Sequence, residues 1–522
     1  MKLIRHNHDL SFTHMTSFAP GKLIPVAHVE ILPGDTINMK TSAFLRVEPL
    51  NKPMIHEVEM RIHHWFVPNR IIWDGWENFI TGRTPVTTAS LPKINVSQAG
   101  NYEIIDHCGG NPIPHTEYSD FPIRCYNTIW NEFYRDQEVQ NPLTDTQIEE
   151  QGALKSIAWN KDYFTTARKL PQQGSSINVQ FTGDSQLPVQ GLALRATPNN
   201  ASATWVTPRE TGNRVPDTFQ GWLVNPTSTP TAGRAGLLVE ESSVTEEAGF
   251  PAIYTDLSAS SLGINIDDLR KAMATQRIAE ARALFGDRYT DYLAYYGVKS
   301  SDARLQRPEY LGGFTKRVHF SEVLGTGDTD TGKLVGHGIA HKSGGRFRKM
   351  FEEHGTLMSL MSVRPLAMYQ QGRPRKFNRR TPLDFWTREF ENTPWQEIRQ
   401  SEIYSDVSNS DSAGRTGTSY SGDPTFGYTS RFDEYRESPN IVTGALRRSA
   451  TTPVAGDQTN YHWARWFTTA QKPTIVDSTF ITCAPTAEVF QGTQTDPFIV
   501  HLTHSIKAKR LVSSSARIQH AL

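Results

Sequence analysis

The sequence has little cysteine. Its 522 residues include three cysteines, Cys108, Cys125 and Cys483. An odd number of widely separated cysteines supplies neither a disulfide framework nor a four-cysteine zinc site. We therefore expect this protein to reside in a reducing compartment.

The chain also lacks an excess of charge and a long apolar run. Lys+Arg and Asp+Glu each number 54, so the formal net charge is +0. This balance argues against a polycation that coats nucleic acid by charge alone, although local basic patches are compatible with it. No segment approaches the ~18 consecutive apolar residues of a membrane span. The N-terminal residues contain no apolar stretch of signal-peptide length, so we expect neither a membrane span nor a standard secretory signal.

Motifs for catalysis are scarce. The segment GDTDTGKL at 327–334 has the spacing of a phosphate-binding loop, but Leu334 stands where a Ser or Thr would hold magnesium. We interpret it as a hairpin tip. No H-E-x-x-H or G-x-S-x-G motif occurs, and the 17 histidines lack a third ligand at matching offsets. We therefore predict no metal, no cofactor and no catalysis. Acidic pairs such as Glu352 and Glu353 leave open one alternative, a carbohydrate-binding or carbohydrate-active β-sandwich.

Strong strand patterning is present at both ends of the chain. Residues 36–47, 58–68 and 498–509 alternate apolar with polar side chains. We expect the first two of these strands to pair with each other, and PTIVDSTFIT at 473–482 to form a further short strand. Strands at both ends with long excursions between them predict a mainly β fold, in which one β-sandwich has enlarged loops.

The excursions have helical or irregular patterns. Helical spacing of apolar residues predicts helices within 72–80, 123–137, 265–286 and 289–297. Residues 183–263 are rich in Thr, Pro, Ser and Gly, and no lysine occurs between Lys169 and Lys271. We interpret this stretch as an exposed inserted subdomain, which divides the chain into 1–182, 183–263 and 264–522.

Two sets of residues are candidates for contacts. Large aromatic side chains are candidate interface or packing anchors, because each buries a large apolar area: Trp65, Phe66, Trp73, Trp76, Trp130 and Phe133. Basic residues interleaved with an aromatic ring suit single-stranded nucleic acid, whose phosphates are neutralised and whose bases stack. For any single residue, a solvated face or a subunit interface is an equally good interpretation. The candidates are Arg346, Arg348, Lys349, Arg373, Arg375, Lys376, Phe377, Arg379, Arg380, Lys507, Lys509, Arg510 and Arg517.

Seven ordered segments carry a family resemblance. They are LPGDT, FVPNRIIWDGW, YNTIWNEFYRDQ, SSDARLQRPEYLGG, EHGTLMSLMSVRPL with YQQG, FGYTSRFDEYRESPNIVTG and PTIVDSTFI. In order and approximate spacing they resemble the major capsid protein of microviruses, small icosahedral phages with circular single-stranded DNA, and most of all the gokushovirus-type branch. The resemblance spans about residues 18 to 500. The segment DFWTREFENTPWQEI and the basic C-terminal end depart from the pattern, so contacts made there by relatives are not carried over.

The resemblance implies a fold and a structural function. The expected fold is an eight-stranded antiparallel jelly-roll β-sandwich with long helical and irregular loop insertions, assembled as roughly sixty copies with icosahedral symmetry. It implies contact with an internal single-stranded DNA genome, aromatic loops that become interface on assembly, and a threefold protrusion at 183–263. From the Thr/Pro/Gly composition and expected exposure of this insertion, we also expect it to contact the host surface. Trp73 and Trp76 are then expected to pin their helix to the sandwich or to a neighbouring subunit.

The resemblance also implies a set of partners and a location. The expected partners are a small basic DNA-packing protein, a minor pilot or spike protein and a host cell-surface receptor. The expected location is the virion capsid, assembled in the cytoplasm of a bacterial host.

Overall fold

A computed structural model describes most of the chain outside the predicted insertion. The described residues are 4–83, 90–96, 102–172, 189–190, 254–255, 266–285, 289–298, 301–302, 306–324, 334–379, 381–391, 395–405, 423–447, 461–486, 489–490 and 496–513. The chain divides into two compact units, Met1–Gln173 with Glu280–Leu522, and Gly174–Ala279. Nearly all of the predicted insertion 183–263 lies outside the described residues, so its boundaries stay a prediction.

Strands make up most of the regular structure of the first unit. In chain order the strands are β1 (His6–Asp9), β2 (Phe12–Phe18), β3 (Leu23–Ile31), β4 (Thr36–Val47), β5 (Val58–Pro68), β6 (Lys93–Asn95), β7 (Glu117–Ser119), β8 (Val189–Gln190), β9 (Tyr254–Thr255), β10 (Glu309–Leu324), β11 (Leu334–Met350), β12 (Gly355–Pro365), β13 (Trp395–Arg399), β14 (Thr425–Ser430) and β15 (Phe498–Arg510). The short pair β8–β9 belongs to the second unit.

Helices lie in the connections between the strands. They are α1 (Asn69–Ile72), α2 (Trp76–Ile80), α3 (Glu103–His107), α4 (Phe121–Ile129), α5 (Asp145–Glu150), α6 (Ile266–Phe285), α7 (Tyr289–Tyr295), α8 (Gln400–Ile403) and α9 (Ser478–Ile481); a π-helical turn, Trp130–Tyr134, continues α4. The helices predicted within 123–137, 265–286 and 289–297 are confirmed. Among the described residues, no helix is long and apolar enough to span a membrane.

One antiparallel sheet organises the first unit. Its strands follow the order β1-β15-β4-β11-β10-β5-β12-β3, and β2 also pairs with β15. The long strand β10 pairs with β11 through its second half and with β5 through its first half, so it passes from one half of the sheet to the other. The predicted mainly β sandwich with insertions is confirmed, and its first and last long strands, β4 and β15, are neighbours.

Side chains close the curled sheet where its two ends meet. In the described part of the chain β3 is an edge strand, and the carbonyl oxygens of an edge need partners. His14 Nδ1 of β2 and His504 Nε2 of β15 both donate to the Val26 carbonyl oxygen, at 2.8 and 2.9 Å. Tyr126 Oη of α4 donates to the Leu23 carbonyl oxygen at 2.7 Å. Hydrogen bonds from side chains therefore replace a strand ladder at this seam.

The alternation in the sequence explains the core. Even-numbered residues of β15 from Phe498 to Ala508 are buried and odd-numbered ones from Ile499 to Lys509 are exposed. In β4 the odd-numbered residues, such as Met39 and Leu45, are fully buried. Apolar side chains of both halves of the sheet therefore meet inside, and the polar side chains of β4 and β15 form an outer face.

Three expectations about elements are wrong. β4 pairs with β11 and β15, whereas β5 pairs with β10 and β12. The strand predicted at 473–482 contains helix α9 instead, because Asp477 Oδ1 accepts a hydrogen bond from the backbone N–H of Phe480 at 2.7 Å and caps it. The single helix predicted within 72–80 is interrupted, since Trp73 has extended backbone dihedrals between α1 and α2.

The glycine-rich segment at 327–334 joins two paired strands. β10 and β11 are antiparallel neighbours, with Leu324 opposite Leu334. The flanking strands are those of a hairpin, as predicted; its tip, residues 325–333, lies outside the described residues.

Candidate nucleic-acid interface and aromatic surface

Three adjacent strands carry no acidic side chain. β15, β4 and β11 are neighbours in the sheet, and they contain nine lysines and arginines but no aspartate or glutamate. The whole chain has equal numbers of acidic and basic residues, so charge is segregated in the fold. We define the cationic face by the exposed basic, aromatic, histidine and isoleucine side chains of these strands: Lys40, Phe44, Arg46, Ile339, His341, Arg346, Arg348, Ile499, His501, Lys507 and Lys509.

Strand register brings two predicted basic segments together on this face. Asn38 of β4 lies opposite Lys507 on one side and Arg348 on the other. Arg346 Nε donates to Asn38 Oδ1 at 3.3 Å. Lys509 is exposed two residues beyond Lys507. Candidates that are far apart in the sequence therefore form one positive cluster, with Asp9 of β1 opposite Lys507 at its edge.

Two predicted cations near this cluster have partners inside the protein. Lys349 Nζ forms an ion pair with Glu309 and lies 5.8 Å from the ring centroid of Phe351. Arg510 Nη2 lies 2.7 Å from Oδ2 of the fully buried Asp35. Because these charges are already neutralised, we expect Lys349 and Arg510 to contribute less to phosphate binding than the exposed cations.

The basic segment 373–380 contains two arginines that stabilise buried carboxyl groups. Arg375 lies 3.5 Å from Glu402 Oε1 through Nη1 and 3.5 Å from Glu434 Oε1 through Nε. Arg379 Nη2 lies 3.6 Å from the same oxygen of Glu434. Burial raises the pKa of Glu402 to about 7, and the charge of Arg375 opposes that rise. The nucleic-acid role predicted for these arginines stays a prediction, but their ion pairs favour a structural role.

The other candidates in this segment differ in exposure. Phe377 is 68% exposed, and Lys376 Nζ lies 5.2 Å from its ring centroid. Arg373 is half-buried, and its backbone N–H donates to the Ser401 carbonyl oxygen at 2.9 Å. Arg380 and Arg517 lie outside the described residues. Lys376 and Phe377 are thus the members of this segment that face solvent most fully.

Exposed rings cluster next to this segment. We define the aromatic patch by side chains that are 38 to 68% exposed: Phe377, Leu383, Phe385, Trp386, Phe390 and Tyr435. The Arg379 guanidinium lies 5.1 Å from the ring centroid of Phe385 and 4.6 Å from that of Tyr435. The backbone N–H of Trp386 donates to Tyr435 Oη at 3.3 Å. Arg379, Phe385, Trp386 and Tyr435 are therefore neighbours at the surface.

Sequence reasoning missed several functional candidates. The patch residues from Phe385 to Phe390 lie in the segment that departs from the family pattern, and they have neither strand nor helical spacing. The one sequence feature that could have identified them is a run of bulky apolar residues within a polar stretch. The alternation in β4 predicts a polar side that includes Lys40 and Arg46, but it does not single out Phe44 between them. The importance of all three depends on which strands lie beside β4.

The predicted anchors lie mostly inside this chain. Trp65, Phe66 and Trp130 are buried in its own core, with 4 to 7% of each side chain exposed. Phe133 is half-buried and packs on Trp65, with ring centroids 4.2 Å apart. Trp76 contacts Phe121 of α4 and His354, with centroids 5.9 and 5.4 Å apart, and Trp73 lies 6.2 Å from Phe121. Trp73 and Trp76 therefore pin α1 and α2 within the subunit.

Two carboxyl groups that line one cleft of the described structure are paired with cations. A cleft of about 560 Å³ is lined by Asp136 and Glu138 among other residues. Asp136 forms an ion pair with Lys161, and Glu138 with Arg168. Glu353, one of the acidic residues noted in the sequence, pairs with Arg70. Carboxyl groups neutralised in this way are poorly suited to acid–base chemistry on a sugar.

Known proteins similar to this chain share one function. A family model described as Capsid protein (F protein) matches residues 1–516. The chain is 30% identical to Capsid protein VP1 of Chlamydia phage 1, over 91% of this chain and 89% of that protein. It is also 30% identical to Capsid protein VP1 of Bdellovibrio phage phiMH2K, over 91% of this chain and 87% of that protein. It is 27% identical to Capsid protein VP1 of Spiroplasma virus 4, over 83% of this chain and 80% of that protein.

These relatives give no support to the carbohydrate-related alternative. The agreement covers nearly the whole chain, including the strands that form the sheet and the segments that carry the resemblance. The chain therefore belongs to the capsid protein (F protein) family, and its function is that of a structural, non-enzymatic major capsid protein.

Proposed function

We propose that this protein assembles, as roughly sixty copies with icosahedral symmetry, into a closed shell around circular single-stranded DNA. In this shell the cationic face is turned toward the DNA. The observation that supports this orientation is the segregation of charge: three neighbouring strands have nine cations and no acidic residue, in a chain of zero formal net charge.

The physical basis is the release of counterions. Each phosphate that a Lys or Arg neutralises releases condensed counterions, which favours binding and makes it dependent on salt. The zero net charge has a separate advantage, because subunits of like charge would repel as a shell closes. Charge that is balanced overall but segregated on one face satisfies both requirements.

The experiment compares two triple variants of the full-length protein. Replacing Arg348, Lys507 and Lys509 with Ser removes exposed cations of the cationic face, whereas replacing Lys93, Arg270 and Lys271 with Ser removes exposed cations that do not belong to its three strands. Affinity for a single-stranded oligonucleotide is measured against salt concentration. Each phosphate contact with single-stranded DNA contributes about 0.7 to the slope of log K against log[salt]. Loss of three cations should therefore make the slope shallower by about 2 in the first variant, and the slope should stay unchanged in the second. Equal slopes in both variants would refute the orientation.

The aromatic patch supplies a contact between copies. Its Trp, Tyr and Phe side chains, with Arg379 beside them, are residue types enriched at the centre of protein interfaces. The charges on this surface are of both signs, since Asp384, Glu389 and Glu391 accompany Arg388 along the same segment. A surface of this kind suits another protein better than a polyanion, and other copies of the chain are the proteins that surround it in a shell.

The predicted insertion 183–263 completes the proposal. Its composition and expected exposure support contact with the host cell surface, and deletion of residues 190–255 should abolish adsorption of particles to host cells. A small basic DNA-packing protein, a minor pilot or spike protein and assembly in the host cytoplasm belong to the same proposal.

A further inference from the structure

An exposed aromatic ring lies near the middle of the cationic face. Phe44 of β4 is 42% exposed, and its cross-strand neighbours are His341 of β11 and His501 of β15. Both histidines are exposed. Neighbouring strands lie about 4.8 Å apart, so three planar side chains stand side by side across about 10 Å of the sheet.

The surroundings of Phe44 indicate what covers it. Arg46 is exposed about 7 Å along the same strand in one direction, and Lys40 is exposed about 13 Å away in the other. The strands on both sides contain no acidic residue, so a complementary partner must be negatively charged. It must also offer a flat apolar surface to the ring. Single-stranded nucleic acid has both properties, because unpaired bases present their faces next to the phosphates.

We propose that Phe44, flanked by His341 and His501, is a stacking site for an unpaired nucleobase whose neighbouring phosphates contact Arg46 and Lys40. The site selects single strands over duplexes, since the faces of paired bases are hidden in the duplex stack. This inference rests on the proposed DNA contact of the cationic face. It adds the chemical group that is bound, a base face, and the residue that binds it.

The test uses full-length protein and a single-stranded oligonucleotide that contains 2-aminopurine, whose fluorescence is quenched when it stacks. Three variants are compared with the unaltered protein: Phe44→Leu, which keeps apolar bulk without a ring; Phe44→Trp, which keeps a ring; and Met15→Leu, a control on the same row beyond His501. We expect quenching with the unaltered protein, with Phe44→Trp and with Met15→Leu. With Phe44→Leu we expect quenching to be lost and affinity to fall about 5- to 100-fold, the usual effect of losing one base–ring stack. Binding of a duplex should not change.

Two outcomes separate this inference from the proposed DNA contact. If the unaltered protein binds the oligonucleotide with a steep salt dependence but Phe44→Leu quenches 2-aminopurine equally, base stacking on Phe44 is wrong and the phosphate contact stands. If the unaltered protein does not bind single-stranded DNA, both are wrong. Photocross-linking of an oligonucleotide with 5-iododeoxyuridine to the unaltered protein gives an answer without any variant. The cross-linked peptide should contain Phe44, and cross-links confined to other peptides would overturn the inference.

Discussion

Two neighbouring basic residues, Arg375 and Lys376, show how differently single side chains are used. Arg375 is largely buried between Glu402 and Glu434, whereas Lys376 is exposed beside Phe377. A basic segment in a sequence can thus combine cations that stabilise the fold with cations that face solvent. The first kind cannot bind phosphate without leaving a carboxyl group buried and unpaired.

This difference predicts unequal effects on stability. Arg375→Leu should lower the free energy of unfolding by roughly 3 kcal/mol, because Glu402 loses the partner of a buried ion pair. The matched change Lys376→Ser removes the adjacent exposed charge and should change it by less than about 0.5 kcal/mol. Chemical denaturation of the dispersed protein measures both values. Similar losses in the two variants would contradict the structural role of Arg375.

The sequence could predict exposure for some of these residues but not for others. Alternation in β15 correctly places Lys507 and Lys509 on the polar side. Residues 373–380 have no period from which a buried side could be inferred. The partners Glu402 and Glu434 are distant in the sequence, so nothing local distinguishes Arg375 from Lys376.

Among the elements, the seam at β3 depends on two histidines that share one acceptor. His14 and His504 both donate to the Val26 carbonyl oxygen, and His504 Nδ1 also lies 3.1 Å from Thr41 Oγ1. Either histidine alone still gives the carbonyl group a donor. The Val26 carbonyl oxygen therefore loses its side-chain donors only when both histidines are replaced.

A double-mutant cycle tests this arrangement. His14→Ala and His504→Leu should each cost about 1 kcal/mol or more, and the double variant should cost more than their sum, because only it leaves the buried carbonyl oxygen without a donor. Unfolding free energies of the four proteins give the coupling. Strict additivity would show that the two hydrogen bonds do not support the same seam.

The aromatic patch predicts a change in assembly rather than in folding. Phe385→Ser with Trp386→Ser should reduce particle formation, because the rings are exposed in the subunit and would be buried between copies. Tyr296→Ser, at an exposed ring that is not a member of the patch, serves as the control. Sedimentation and circular dichroism distinguish assembly from folding. Normal particles from the double variant would exclude the patch from the interface.

The strands themselves were easier to predict from the sequence than the partners with which each strand pairs in the sheet. β4, β5 and β15 are recognisable because a strand with one buried face alternates with a period of two. The pairing of β4 with β15 joins residues from opposite ends of the chain, and adjacent strands in the sequence are a poor guide to it. At α9, a single capping contact from Asp477 outweighs an apolar pattern typical of a strand.

At the scale of the whole molecule, buried neutral histidines make stability dependent on pH. Burial lowers the pKa of His64 to about 3 and those of His56, His63 and His504 to about 4; it also lowers the pKa values of His28 and His107. In the unfolded chain these groups titrate near 6.5. Between these values the unfolded state binds more protons, so stability falls as pH decreases.

We therefore expect the melting temperature to fall between pH 6.5 and pH 4. Glu402 acts in the opposite direction: its pKa is raised from 4.5 to about 7, so its contribution is present below pH 4.5 and is lost as pH rises through 7. Because six histidines act in the first direction and Glu402 in the other, we expect the effect of the histidines on stability to dominate. His64→Gln, which can still hydrogen-bond Ser359, should reduce the pH dependence. Scanning calorimetry of the dispersed protein measures this, and a melting temperature that rises on acidification would contradict it.

Composition alone could not reveal the cationic face. A net charge of zero describes the sum over the chain, whereas nucleic-acid binding depends on which charges share a surface. That surface is formed by three strands from distant parts of the sequence, and only their register places Lys507, Asn38 and Arg348 in one row.

The most direct test of the central claim is a cryo-electron microscopy reconstruction of particles assembled from this protein around single-stranded DNA. We expect closed icosahedral shells in which the solvent-exposed side of β4, β11 and β15 lines the interior and contacts DNA density. Particles in which this face points to the exterior, or is covered by a neighbouring subunit with no DNA beside it, would contradict the account.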